Sequence, residues 1–190
     1  MQGFLALLSG LLFFGQAAGY NQYFGMPYLK QLWLLLSIIL WGCTFFFVLG
    51  VPTVWAALAA VIYGATLNIA RGPTFSDYDS LIQVKKDFIL KGVLKVLPKA
   101  DGEPIGFARW LSYQLAHWLL PFVAIGGIVG NLLAGVLSGV GAILGYQLVA
   151  PLFVRIAPEK FRTTDPSDGS NYFGAFFAGC LSLLPFLYLL

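Results

Sequence analysis

Residues 32–70 read LWLLLSIILWGCTFFFVLGVPTVWAALAAVIYGATLNIA, a stretch without a single Asp, Glu, Lys or Arg. Two apolar runs, 32–50 and 54–70, flank the tripeptide Val51-Pro52-Thr53. Each run approaches the roughly 20 residues that an α-helix needs to cross a bilayer. Proline lacks an N–H and cannot continue a helix, so Pro52 suits a tight turn. The stretch therefore predicts a hairpin of two transmembrane helices.

The composition of the whole chain agrees with this prediction. Hydrophobic residues make up 59% of the 190 residues and charged residues 10%, and the mean hydropathy is +0.82. A soluble domain carries roughly 25% charged residues. These values exclude a soluble globular domain, a disordered chain and a nucleic-acid-binding module. The aromatic share of 16% and the 22 glycines are typical of multi-pass membrane proteins.

Six apolar runs follow one another along the chain, and Gly130-Asn131 marks a second tight turn. Residues 3–19 are expected to be a span rather than a cleaved signal peptide, because no Lys or Arg precedes them. The predicted fold is a single all-α membrane domain, a bundle of six transmembrane helices. The predicted spans are 3–19, 32–50, 54–70, 108–128, 132–154 and 171–190.

The basic residues predict the orientation of this bundle. With six spans, all 11 Lys and Arg fall in the first, third and fifth connections, which share one side of the membrane. Basic loops stay in the cytoplasm, so both termini are expected outside a bacterial-type inner (plasma) membrane. The basic residues are Lys30, Arg71, Lys85, Lys86, Lys91, Lys95, Lys99, Arg109, Arg155, Lys160 and Arg162.

The connection 71–107 is predicted to hold an amphipathic helix that ends at Pro98 and lies at the cytoplasmic surface. Leu81, Phe88 and Val93 share one side at helical spacing. Lysines on such a helix are attracted to anionic lipid headgroups. The alternative is a connector that buries its apolar face against the bundle. The lysines expected to contact headgroups are Lys85, Lys86, Lys91 and Lys95.

Glycines recur four residues apart in the last part of the chain. Small residues at this spacing let two helix backbones approach closely in lipid. The facing helix could belong to the same chain, to a second copy or to another membrane subunit. The glycines predicted to pack in this way are Gly126, Gly130, Gly135, Gly139, Gly141, Gly145, Gly174 and Gly179.

A layer of neutral polar residues is predicted inside the cytoplasmic half of the bundle. Gln114 and His117 share a helix face, and Pro121 is expected to kink that helix and free a nearby carbonyl. One interpretation is a pocket or passage centred on His117. The other is hydrogen bonding that holds helices together. The members are Tyr63, Thr66, Tyr113, Gln114, His117, Tyr146 and Gln147.

Signs of catalytic or metal chemistry are few. Gly135-Val136-Leu137-Ser138-Gly139 does not match the serine-hydrolase motif. Cys43 and Cys180 lie in apolar runs without a Cys/His cluster, so neither a metal nor another cofactor is expected. Asp165-Pro166-Ser167-Asp168-Gly169 is typical of a turn. Paired carboxylates could hold a metal only if Asp77 or Asp79 meets Asp165 or Asp168.

Three functions are compatible with these observations. The first is a non-enzymatic, oligomeric pore or carrier for a small solute. The second is a structural or accessory subunit of a larger membrane complex. The third is a membrane enzyme that acts on lipid through its cytoplasmic acidic residues. Membrane lipids are expected partners in all three cases, and nucleic acid in none.

Overall fold

The structure, a computed structural model, describes the backbone of residues 1–19, 29–70, 97–98, 104–105, 115–150, 152–153 and 166–190. It describes the side chains of residues 1–16, 31–66, 115, 118–150, 152–153 and 173–190. Helices dominate this part of the chain, and the prediction of a helical fold is confirmed.

Six helices follow the order of the predicted runs, and three of them contain a wider, π-helical segment with i→i+5 hydrogen bonds. They are α1 (Gln2–Gly19), α2 (Leu29–Cys43, continued by the π-helical Thr44–Val48), α3 (Thr53–Ala70), α4 (the π-helical Leu115–Leu119, then Leu120–Val129), α5 (Leu132–Leu144, then the π-helical Gly145–Val149) and α6 (Pro166–Leu189).

Within the described residues, two helices are long and apolar enough to cross a membrane, whereas the sequence predicts six spans. These are Gln31–Val48 and Leu132–Val149, at the predicted spans 32–50 and 132–154. Helices at the predicted spans 3–19, 54–70, 108–128 and 171–190 have shorter apolar stretches in the residues searched. A helix of about 15 residues is ~22 Å long, less than the ~30 Å of hydrocarbon. The four shorter stretches are Gln2–Gln16, Thr53–Thr66, Leu120–Val129 and Phe173–Leu189.

Between α3 and α4 lies a short strand pair rather than a continuous helix. Strand β1 (Leu97–Pro98) pairs antiparallel with β2 (Pro104–Ile105), with Leu97 opposite Ile105. A residue that precedes proline is sterically disfavoured in a helix, which explains why Leu97 is already extended. The amphipathic helix that the sequence predicts up to Pro98 is therefore wrong at Leu97, which lies in β1. Lys85, Lys86, Lys91 and Lys95 lie outside the described residues.

The sixth helix begins earlier than predicted. It starts at Pro166 rather than at 171, so residues 166–169 form the first helical turn instead of a loop turn. Proline is favoured at this position because its φ is already helical and its missing N–H would have no intrahelical partner. The interpretation of Asp165-Pro166-Ser167-Asp168-Gly169 as a turn is therefore wrong for residues 166–169, and Asp165 lies outside the described residues.

Gly50 and Gly130 end the helices that precede the two tight turns. Their φ angles are 68° and 80°, in the left-handed region that favours glycine. Gly130 was predicted to pack against a helix, but no other side chain or helix lies within 4 Å of the position that its Cβ would take. Its role is instead to stop α4. Asn131 then caps α5, because its Oδ1 accepts a hydrogen bond from the Ala134 N–H at 3.0 Å.

Other glycines lie where two helix backbones touch. A methyl group at Gly145 of α5 would lie 2.5 Å from the Phe177 carbonyl oxygen of α6, and one at Gly179 of α6 would lie 2.8 Å from that of Ser9 on α1. Such distances leave room only for hydrogen. Among the other glycines that the sequence predicts to pack, comparable contacts are Gly126 against Gly135, Gly139 against Leu119, Gly141 against Leu181 and Gly174 against the Tyr146 ring. All these contacts lie within one chain.

Side chains from two other elements hold the end of α6. Gln2 Nε2 donates to the Leu187 carbonyl, and Asn131 Nδ2 donates to the Leu189 carbonyl, both at 2.9 Å. The last carbonyls of a helix have no intrahelical partner, so these bonds satisfy two of them. The start of α1, the α4–α5 turn and the end of α6 therefore meet at one end of the bundle.

Candidate functional site

Tyr63 of α3 is a fully buried member of the predicted polar layer. Its hydroxyl lies 2.6 Å from Ser182 Oγ of α6 and 3.3 Å from Ser9 Oγ of α1. It also donates a longer bond, 3.4 Å, to the Gly179 carbonyl. One phenol thus joins three helices, and its hydrogen-bonding capacity is used within the protein.

Aromatic rings surround Tyr63. The Trp41 ring centre lies 4.3 Å from that of Tyr63, the Phe122 centre 5.3 Å and the Phe13 centre 5.6 Å. All four side chains are fully buried. This packing favours helix-to-helix hydrogen bonding over a water-lined passage as the role of Tyr63.

Two further polar groups also serve the bundle itself. Thr66 Oγ1 donates a hydrogen bond to the Ile62 carbonyl of its own helix at 2.7 Å. This hydrogen bond therefore does not join α3 to another helix. Gln16 Nε2 of α1 donates to Ser37 Oγ of α2 at 2.7 Å. The sequence analysis did not predict the Gln16–Ser37 hydrogen bond. Gln16 lies inside the apolar run 3–19 and could have indicated it, since a buried amide needs a hydrogen-bond partner.

A different arrangement surrounds Trp118 and Tyr146. They lie on two π-helical segments, Leu115–Leu119 of α4 and Gly145–Val149 of α5. Their ring centres are 5.4 Å apart with a 41° angle between the ring planes. Both side chains are buried, with 1% of Trp118 and 3% of Tyr146 exposed. We call these two segments the π pair.

Pro121 gives a local reason for the first segment of the π pair. A proline cannot donate to the carbonyl four residues earlier, and its ring crowds that carbonyl. A widened turn before Pro121 relieves this clash. π-Helical segments are rare in proteins, and those that occur are often found at functional sites. At Pro121, where the sequence predicts a kink, the structure has this π-helical segment followed by the α-helical Leu120–Val129.

This region contains two buried polar groups that are unpaired within the residues that the structure describes. Trp118 Nε1 and Ser138 Oγ are buried and have no hydrogen-bond partner within the described part of the chain. An unpaired buried donor costs about 1–3 kcal/mol. Trp41 Nε1, whose ring packs on Tyr63, is unpaired among the described groups as well. Trp118 Nε1 could donate a hydrogen bond to a bound molecule, and Ser138 Oγ could donate or accept one.

The predicted polar layer is thus divided. Tyr146 and Gln147 lie buried on the second segment of the π pair, whereas Tyr63 and Thr66 are bonded elsewhere. His117 belongs to the first segment by its backbone. Its side chain, and all of Tyr113 and Gln114, lie outside the described residues. Trp118 and Ser138 were missed because tryptophan and serine are ordinary in an apolar run, and Pro121 was the only local signal.

Among the described residues, no group of three His, Cys, Asp or Glu could hold a metal ion. Asp77, Asp79 and Asp165 lie outside those residues, and Asp168 is placed on α6 by its backbone alone. Cys43 and Cys180 are free thiols.

No known family model, no curated protein and no solved structure matches the chain.

Proposed function

We propose that the chain is an integral membrane protein in which all six helices cross the bilayer. Large apolar side chains on the outside of the helices support this. On α2, Leu32, Leu35 and Ile39 are about half exposed, and only 22% of the stretch 31–48 is buried. An enclosed core helix of a soluble protein would be buried on most sides. Spans that are shorter than the hydrocarbon are accommodated by local thinning of the bilayer.

The orientation that we propose places residues 1 and 190 and both tight turns outside. The side chains of Gln2 and Asn131 donate hydrogen bonds to the end of α6, which supports placing the start of α1, the α4–α5 turn and the end of α6 on the same side of the membrane. No Lys or Arg lies in the sequence at that end, whereas the basic residues lie in the connections at the other. The positive-inside rule then assigns the basic end to the cytoplasm.

For the activity, we propose a pore or carrier that binds a small solute at the π pair. The observation that carries this proposal is the buried Trp118 indole N–H without a partner among the described groups. Ser138 Oγ, on the neighbouring helix α5, is also unpaired among the described groups. A solute with an acceptor atom would supply the missing bond inside the membrane.

The test is solute flux into vesicles that contain the purified protein. Volume changes are followed by light scattering after a gradient of urea, glycerol, glycine or acetamide is imposed. We expect at least one solute to cross faster than in protein-free vesicles. Trp118→Phe should slow that flux because it removes the N–H and keeps an aromatic ring. Trp41→Phe is the matched control, since it removes the same unpaired group from the Tyr63 cluster. No acceleration of any solute would overturn the proposal.

An assembly of several chains is a separate part of the proposal. The described glycine contacts are occupied within one chain. A second copy or another membrane subunit would therefore pack on the exposed sides of α2 and α3. The mass of the complex in mild detergent tests this. A homo-oligomer supports a pore of several copies, and a stable complex with a different chain would instead support the accessory-subunit function.

A further inference from the structure

Large apolar side chains are exposed at one end of five of the six helices. Each lies within two residues of the helix end that is nearest the two tight turns. Their exposed fractions range from 49% to 76%, although core positions next to them are fully buried. We call this set the girdle. Its members are Phe4 of α1, Phe47 of α2, Trp55 of α3, Leu133 of α5 and Tyr188 of α6.

Contacts between the helices place the girdle at one level. The start of α1, the α4–α5 turn and the end of α6 meet through the hydrogen bonds of Gln2 and Asn131. The end of α2 reaches the same level, because the ring centres of Phe45 and Phe186 lie 5.8 Å apart. Only residues 49–52 separate α2 from α3, so the start of α3 lies there too. The girdle therefore follows one end of the bundle.

The distribution of the girdle favours lipid over a protein partner. Exposed apolar surface of this extent marks a contact with a protein or a membrane. The helices that carry it pack side by side, with α5 on α6, α6 on α1, α1 on α2 and α2 on α3. A protein partner covers one patch, whereas lipid surrounds a bundle. A neighbouring chain on the sides of α2 and α3 would cover Phe47 and Trp55 and leave the other three exposed.

The chemistry of this end fits the boundary between acyl chains and headgroups. The described residues nearest this end, 1–10, 42–60, 122–140 and 180–190, contain no Asp, Glu, Lys or Arg. Leucine and phenylalanine are favoured among acyl chains, and tryptophan and tyrosine are enriched where acyl chains meet headgroups. The Trp55 indole N–H is a donor, and the ester oxygens of phospholipids at this level are acceptors.

We propose that the girdle is a lipid-contact surface that places the outer ends of the helices at the boundary between acyl chains and headgroups of the outer leaflet. The hydrocarbon then ends where the helices end, including the helices that are shorter than a full bilayer. This inference rests on the proposed membrane location and orientation, and it adds the depth at which the outer end lies.

Nitroxide labels at single cysteines measure this depth. In a chain with both native cysteines replaced by alanine, Phe4→Cys, Leu133→Cys and Tyr188→Cys are labelled one at a time and placed in phosphatidylcholine vesicles. Molecular oxygen concentrates among acyl chains and a nickel chelate in water. Power saturation in electron paramagnetic resonance measures the collisions of the label with each. We expect a ratio of oxygen to nickel collisions several-fold above that of spin-labelled cysteine in buffer.

Val140→Cys is the matched control on α5. Val140 is exposed like Leu133 and lies two turns, or about 10 Å, deeper along the same helix. Its label should give a higher ratio of oxygen to nickel collisions than the three girdle labels. Circular dichroism shows whether each variant is folded. Leu132→Cys, at an equally exposed position, replaces Leu133→Cys if that variant does not fold.

The outcomes separate this inference from the membrane location on which it rests. Girdle labels with the ratio found in buffer, beside a high ratio at Val140, would overturn the lipid contact and leave the membrane location. The buffer ratio at Val140 as well would overturn the membrane location itself. Immobile girdle labels that neither reagent reaches would show that another chain covers this end, and would also overturn the lipid contact.

Discussion

Gly126 and Gly135 face each other across the α4–α5 hairpin so closely that a methyl group at either would lie 2.9 Å from the Cα of the other. Gly126→Ala should therefore push the two helices apart. We expect a loss of about 1–3 kcal/mol in the free energy of unfolding, typical of an overpacked contact. Unfolding in mixed micelles measures it.

Gly127→Ala is the control for this substitution. A methyl group there would meet only Leu132 Cδ2, at an ordinary 3.8 Å. Alanine is also the better helix former by roughly 1 kcal/mol. Gly127→Ala should thus be neutral or stabilising. Equal stability of the two variants would show that the contact at Gly126 tolerates a side chain.

The second prediction concerns the hydroxyl of Tyr63. Tyr63→Phe keeps the ring but removes the group that joins Ser9 and Ser182. Interhelical hydrogen bonds in lipid are worth about 0.6 kcal/mol each, so we expect a loss of about 1 kcal/mol. Tyr188→Phe, at a side chain that is 66% exposed, should have no effect. A Tyr63→Phe variant as stable as the parent would contradict the role assigned to this cluster.

The third prediction separates the two bonds of Asn131. Asn131→Ala removes both the α5 cap and the bond to the Leu189 carbonyl, with an expected cost of about 1 kcal/mol or more. Asn131→Asp keeps an oxygen for the Ala134 N–H but loses the donor to Leu189. It should recover most of the stability in thermal unfolding. If both variants lose the same amount, the bond to α6 matters more than the cap.

The fourth prediction is the orientation in the membrane. In a chain with Cys43 and Cys180 replaced by alanine, Gln2→Cys should react with a membrane-impermeant thiol reagent added to intact cells. Ser80→Cys should react only after the cells are opened, because the connection 71–107 is expected inside. The reverse pattern would invert the topology.

Much of the helix order was predictable from the sequence because apolar runs and turn residues are local signals. The predicted start of the span 132–154 coincides with that of α5. The start of α6 was missed by five residues, 171 against 166, because Pro166 was read as part of a turn although it also suits a first helical turn.

The neighbours of each helix were not predictable, since an apolar run carries no information on which other run it meets. Tyr63 shows the consequence. Its predicted depth in the membrane placed it in one layer with Tyr146 and Gln147, but its hydroxyl is hydrogen-bonded to Ser9 and Ser182. Depth fixes the position along a helix and leaves the rotation about its axis open. The unpaired Trp118 N–H was hidden for the same reason.

The contact between α1 and α6 has a consequence for the order of biosynthesis. The ribosome makes α1 before α3 and α6 last among these helices, so Ser9 and Tyr63 are present long before Ser182. Until then the Tyr63 hydroxyl lacks its bond to Ser182, and the α1 backbone at Ser9 lacks its contact with Gly179. The contacts that join α1 and α3 to α6 can therefore form only after the last helix has been made.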